Sequence, residues 1–346
     1  MAYTTINKPS EYFNTKLYTG NGSTQSITGV GFQPDLSWFV NRNSPTRYNH
    51  SIHDSVRGST KYIPPNTTNQ ELTDVNSVTS FDNDGFSIGS FVKINESGTN
   101  FVSWNWKANG SGSSNTDGSI TSTVSANTTS GFSIVTYTGT GANATVGHGL
   151  GSAPKMMLIK HLNTTNHWRV YHNSLGATNV IYLNLTDATD TGQGSVNFNN
   201  TAPTSSVFSL GTNAGVNASG GTYVAYCFAE KKGFSKFGSY VGNGNADGTF
   251  IYTGFKPSLL IRKRTDASND WYINDNKRAG YNPQNNYLFP NSTQIESALQ
   301  RFDFLSNGFK IRTTDTGDNA SGGTYIYMAF AENPLVGTNN IPATAR

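Results

Sequence analysis

The chain repeats itself. It reads NASGGTYVAYCFAE from Asn217 and NASGGTYIYMAFAE from Asn319, and a weaker copy, NESGTNFVSWNWKA, begins at Asn95. Along a strand every second side chain falls on the same face. One face therefore carries Val102, Trp104 and Trp106 in the first copy, Val224, Tyr226 and Phe228 in the second, and Ile326, Met328 and Phe330 in the third. All three sets are bulky and largely apolar. Burying each such side chain is worth roughly 1.5–3 kcal/mol, so this face is predicted to seal the interior of each repeat. The opposite face reads Ser103, Asn105 and Lys107, then Ala225, Cys227 and Ala229, then Tyr327, Ala329 and Ala331. It is expected to be wetter in the first copy and covered in the other two.

Other features recur in the same order. LYTGNG from Leu17, TYTGTG from Thr136 and SYVGNG from Ser239 each read as a strand ending in a glycine turn. GFQPDLSWFV from Gly31, GLGSAPKMMLIK from Gly149 and GFKPSLLIRK from Gly254 each place a proline just before a strand, where it costs no ladder bond. Polar turns follow, and then aromatic strands with Tyr48, Trp168 or Trp271 near their starts. Short strands with frequent turns predict an all-β protein of three tandem β-sandwich units, jelly-roll or concanavalin-like.

Composition agrees with that class. Only 13% of residues are charged and 35% hydrophobic, yet aromatics reach 12%. Disorder couples low hydrophobicity to high charge and few aromatics, so a packed core is expected. A net charge of +3 spread along the chain is a poor footprint for nucleic acid. A single cysteine, Cys227, excludes an intrachain disulfide, and no apolar run is long enough for a spanning helix. MAYTTINKPSEYF lacks the apolar stretch of a signal peptide, so synthesis in a cytosol is expected.

The expected divisions are residues 1–108 (first unit with an N-terminal anchoring segment), a Gly/Ser/Thr linker over 109–131, units over 132–232 and 233–332, and a tail over 333–346. Within the linker, the half from Gly118 alternates Ile120, Ser122 and Val124 and reads as a strand hairpin leading into the second unit.

Candidate chemistry is sparse. His161, His167 and His172 suggest a metal site, but strand geometry spreads them over two faces and about 13 Å at ~3.3 Å per residue, so no metal is expected. DNDGFS from Asp82 faintly resembles a calcium loop, yet lacks an EF-hand's ligand register and terminal Glu. There is no G-x-S-x-G elbow, and Cys227 lies mid-strand as an inert thiol. No cofactor and no catalytic residue are assigned. Glycan binding is harder to dismiss. Trp168, and Trp271 with Asp270 and Tyr272, are aromatics flanked by polar loop residues that could stack on sugar rings. The competing and favoured reading has the tryptophans plugging the ends of the sandwich.

The stretches YFNTKLYTGNGSTQSITGVGFQPDLSWFVNRN, DSVRGSTKYI, SFDNDGFSIGS and DGSITSTVSANTTSGFSIVTYTGTGANATVGHGLGSAPKMMLIK resemble a family of structural proteins from marine tailed bacteriophages, as does the ending GGTYIYMAFAENPLVGTNNIPATAR. These relatives are described as a domain of unknown function or as tail-fibre proteins. In one departure, the family's PDLVWIKNRD reads PDLSWFVNRN here, which loses a lysine and an aspartate.

The resemblance implies a non-enzymatic virion protein made in the host cytoplasm. The expected role is a tail-fibre or tail-tip component attaching to the host surface. A capsid decoration or head fibre is the first alternative, and a glycan-degrading tail enzyme the second. Expected partners are other virion proteins (a tail or capsid adaptor) and a host-surface glycan or receptor. A homo-oligomer, trimeric by analogy, is expected, without nucleic acid or membrane insertion. Small-residue faces left uncovered in units two and three would be the subunit contact.

Overall fold

Each copy of the repeated phrase becomes an inner strand of a large antiparallel sheet, flanked by the same two strands of its unit. The computed structural model describes residues 3–336. It is all-β, with only short helical turns.

In the first unit the sheet order is Phe13–Thr19, Asn100–Trp106, Leu36–Asn41, Ser51–Asp54, Lys61–Ile63, Leu72–Thr73. The second unit repeats it with Phe132–Thr138, Thr222–Ala229, Pro154–His161, Arg169–His172, Asn179–Tyr182 and Asp190–Thr191. The third does so with Ser235–Val241, Thr324–Pro334, Phe255–Arg264, Trp271–Asp275, Gln284–Leu288 and Ser297–Leu305. The register is shared too: Leu36 pairs with Trp106, Met156 with Phe228, and Leu259 with Phe330.

A second layer differs from unit to unit. A three-stranded sheet (Gln25–Thr28, Gly85–Ile88, Val78–Asp82) covers the first, and a two-stranded ribbon (Ala144–Gly147, Val207–Leu210) the second. In the third, Gly308–Ile311 and Phe250–Tyr252 continue the main sheet, which curls into one eight-stranded surface.

The glycine turns have a steric cause. Gly20, Gly139 and Gly242 lie so close to the carbonyls of Glu96, Ala218 and Ala320 that a Cβ would sit 2.2, 2.4 and 2.3 Å from those oxygens. The turns are pinned by the asparagine that opens the repeated phrase. Asn217 Oδ1 accepts from the Thr140 amide at 2.8 Å, while its Nδ2 donates to the carbonyls of Ala142 (2.6 Å) and Gly211 (2.8 Å). Asn319 makes the same three bonds to the Asn243 amide and the carbonyls of Asn245 and Thr313. Asn95 does so to the Asn21 amide and the carbonyls of Ser23 and Gly89.

The bulky faces are buried as expected, but they do not seal three separate interiors. All nine residues, from Val102 to Phe330, belong to one core shared by the three units. Trp106, Phe228 and Phe330 meet at its centre, with ring centroids 6.2, 5.8 and 6.0 Å apart. The three sheets thus surround a pseudo-threefold axis.

Each opposite face builds its own unit's smaller core. Ala225, Cys227 and Ala229 pack under the second layer of unit two, and Tyr327, Ala329 and Ala331 inside the curled sheet of unit three. Small side chains let that layer approach. The first unit departs from expectation: Ser103 and Asn105 are fully buried rather than wet. The Ser37 hydroxyl donates to Asn105 Oδ1 at 2.7 Å and Asn105 Nδ2 to Ser103 Oγ at 3.0 Å, which satisfies the polar atoms inside. These faces, expected as a subunit contact if uncovered, are covered within the chain.

Two connecting segments are tied to the body. Over 109–131, Ser122–Asn127 pairs with Phe132–Thr138 as the hairpin expected from Gly118 onward, whereas Ser113–Asn115, in the half expected as linker, adds one more strand to the second sheet. The N-terminal segment lies back on the body: Ile6 enters the shared core, Thr4 Oγ1 donates to the Lys232 carbonyl at 2.7 Å, and Tyr3 Oη donates to Gly254 at 2.7 Å. Of the expected tail, residues 333–336 are described: the last strand runs to Pro334, and the Leu335 amide donates to the Gly254 carbonyl. The remainder lies outside the described residues.

A common core predicts common unfolding. Scanning calorimetry of the whole chain is expected to give one transition, and residues 233–334 alone no near-ultraviolet dichroism of fixed aromatics. Three separable transitions would contradict the shared core. Asn217→Ala removes three hydrogen bonds, one of them fully buried, and is expected to cost roughly 1–3 kcal/mol in urea denaturation.

Candidate functional site

Of the residues singled out for glycan binding, the two tryptophans lie in the junctions between units. Trp168 is fully buried, and its indole Nε1 donates to the Pro64 carbonyl of the first unit at 3.0 Å. Trp271, 1% exposed, donates to the Tyr182 carbonyl of the second unit at 2.9 Å. Neither offers a ring face to a ligand from solvent. Tyr272 is buried, its hydroxyl donating to Asn269 Oδ1 at 2.8 Å. Asp270 accepts from Asn291 Nδ2 at 2.7 Å. The favoured alternative of plugged sandwich ends also needs correction, because the tryptophans plug the contacts between units. An indole is large, and its one N–H needs a partner when buried; the neighbouring unit's backbone provides it.

Ionic groups reinforce two of the three junctions. In unit one Arg57 Nε lies 2.5 Å from Asp54 Oδ2 and its Nη1 lies 3.0 Å from Glu71. Tyr226 of unit two donates to Asp54 Oδ2 at 2.7 Å. Unit three repeats the set with Arg278, Asp275 and Glu296, and Trp104 Nε1 of unit one donates to Asp275 Oδ2 at 3.0 Å. In unit two the equivalent positions are His172 and Leu175, facing unit three. The strand register there places Met328 where the others have Tyr226 or Trp104. His172 Nε2 bonds the adjacent Tyr327 carbonyl at 3.2 Å, and Leu175 packs against the shared core.

Lys160 and Lys263 occupy matching strand positions. Each is buried and donates to a carbonyl of the preceding unit, Thr68 and Thr186, at 3.1 Å. Burial pulls their ammonium groups down to about 7 and about 8.

The three histidines do not converge. His161 stacks on Tyr223 at 4.4 Å, His167 bonds Asn184, and His172 faces unit three. Among the described residues no three His, Cys, Asp or Glu side chains gather as a metal site. In the DNDG turn the Asp84 carboxylate accepts from the Gly29 and Gly31 amides at 2.9 and 2.7 Å, which makes it a turn anchor. Cys227 is buried, and burial pushes its thiol up, away from the reactive thiolate.

The surface offers a different candidate. In unit three a cleft of about 190 Å³ is lined by Lys256, Asn276, Tyr281, Asn282, Gln284 and Glu332. Tyr281 is 73% exposed at this cleft. Gln284 is only 3% exposed, and its Oε1 has no hydrogen-bond partner among the described residues. Lys256 and Glu332 neutralise each other at 2.7 Å. A second hollow, about 320 Å³, lies against Asn14, Thr15, Lys16 and Gly29 of unit one, and Lys277 lines both. There the buried Thr15 hydroxyl is likewise without a partner among the described residues.

Sequence reading did not single out Tyr281 or Gln284. The available signal was AGYNPQ, from Ala279, a Gly- and Pro-bearing turn with an aromatic at its tip and no counterpart in the other units.

The chain matches the family described as "Domain of unknown function (DUF7483)" over residues 8–334, and belongs to it. No curated protein matches the chain.

The buried histidines set a pH dependence. Burial lowers His172 to about 4, and His50 and His53 to about 3. Unfolded imidazoles take up protons below about 6.5, so between there and about 4 the unfolded state binds more protons and stability falls as pH falls. Urea denaturation at pH 7 and pH 5 should show this loss, and His172→Gln should reduce it by up to roughly 1.4 kcal/mol per pH unit. An unchanged pH slope in the variant would contradict a neutral His172.

Proposed function

We propose that this protein is a structural component of a tailed-bacteriophage virion, carried on the outside of the particle as a tail-fibre or tail-tip element. It attaches to the host surface without catalysis. The observation that carries this reading is the closed threefold body. Two of its buried Asp–Arg pairs bond a ring of the neighbouring unit and its tryptophans all belong to the shared core, so the chain's chemistry is directed to rigidity. The motif resemblance to marine phage structural proteins supports the same role.

Most of the surface is polar but sparsely charged, which suits a particle that must stay dispersed in salty water where charge is screened. The chain supplies three units around one axis by itself, so one copy can sit on a threefold stalk or adaptor without forming a trimer. The partners in this reading are that adaptor and a host-surface glycan or receptor.

Electron cryomicroscopy of the phage is the test. Density for a three-lobed body at the tail is expected. Density on the head would replace the tail role by capsid decoration, and absence from the particle would end the virion reading. Incubation of the purified chain with host polysaccharide is expected to leave the polymer's length unchanged.

A further inference from the structure

We propose that the two hollows joined at Lys277 form a single groove that binds an oligosaccharide of at least two sugar rings. The proposal deepens the attachment reading above and rests on it for its biological setting.

Three observations carry it. First, each hollow is lined by a residue with a buried polar atom lacking a partner among the described residues: Gln284 Oε1 for one and Thr15 Oγ1 for the other. An unsatisfied buried acceptor or hydroxyl is costly, and a small side-chain rotation toward the groove would let a sugar hydroxyl relieve that cost. Second, Tyr281 presents its ring with 73% exposure at the same cleft. A rigid aromatic with a polar tip is suited to lie against the C–H face of a pyranose. Third, the buried charge at the cleft is already neutralised by the Lys256–Glu332 pair at 2.7 Å. The other polar groups at the two hollows are amides, hydroxyls and the ammonium groups of Lys16 and Lys277, all of which can hydrogen-bond sugar hydroxyls.

Size decides the length of the ligand. The first hollow, about 190 Å³, falls below the ~300 Å³ at which pockets for drug-sized ligands begin, so it takes one ring. The second, about 320 Å³, takes the next. Lys277 belongs to both and lies where the linkage would cross from unit three to unit one.

The test uses the purified full-length chain with maltose, cellobiose, lactose and N,N′-diacetylchitobiose as probes, and with glucose and N-acetylglucosamine as single-ring controls. Saturation-transfer NMR is expected to show transfer to at least one disaccharide. Tyr281→Ala should weaken its binding about tenfold, as loss of an aromatic anchor does. Thr15→Val should weaken the disaccharide and leave the matching monosaccharide unchanged. Near-ultraviolet dichroism controls for folding in both variants.

No transfer to any probe, or unchanged affinity in Tyr281→Ala, overturns the groove. Monosaccharide and disaccharide losing equally in Thr15→Val overturns the two-ring reading. Because the measurement needs no phage, a chain found on the virion that binds none of these sugars refutes the groove alone. A chain that binds them but is absent from the virion refutes the attachment role alone.

Discussion

Three aromatic rings on one axis hold this fold together. Trp106, Phe228 and Phe330 occupy the same position in three copies of one phrase, and they touch one another rather than the interior of their own units. Each ring pair adds about 0.5–1.5 kcal/mol beyond burial. The larger consequence is architectural. Each main sheet has two buried faces, one against its own second layer and one against its two sister sheets. No unit can therefore satisfy its sheet alone, and the chain closes into one body.

Around that centre the backbone is nearly symmetric, while the side chains are not. Where the neighbouring unit presents a hydrogen-bonding ring, Tyr226 or Trp104, it meets an Asp–Arg pair. Where it presents Met328, it meets His172 and Leu175. Burying an ion pair is tolerable only if its remaining lone pairs and protons are satisfied. Met328 could satisfy none, so a carboxylate and guanidinium there would be left short of partners. A neutral imidazole bonding a backbone carbonyl avoids that penalty. Three different interfaces also give each unit one proper neighbour, which disfavours misordered packing of similar sheets.

This division of labour changes where recognition can occur. The loop tryptophans looked like sugar platforms because they stand beside Asn and Asp. The same polar neighbours instead terminate strands at the junctions, and the indoles cross to the next unit. Among the surface hollows, those that share Lys277 lie against units three and one, beside the AGYNPQ turn that departs from the repeat. The proposed groove would depend on closure of the whole ring, because its lining residues come from opposite ends of the chain.

The amino-acid sequence by itself determined the class, the threefold repetition and which face of each repeated strand is buried. Alternation with period two, Gly20 with its counterparts, and Asn95 with its counterparts are local requirements, and local requirements are written along the chain. Sequence could also exclude a disulfide, since Cys227 stands alone. Only the tertiary structure decided what the bulky face packs against, that Ser103 and Asn105 are dry, that residues 3–13 fold back, and that Gln284 and Thr15 line two hollows sharing Lys277. The physical reason is that a pattern of period two reports burial but not the identity of the covering surface. That identity depends on contacts between residues one or two hundred positions apart, and those exist only after the three sheets have closed on one another.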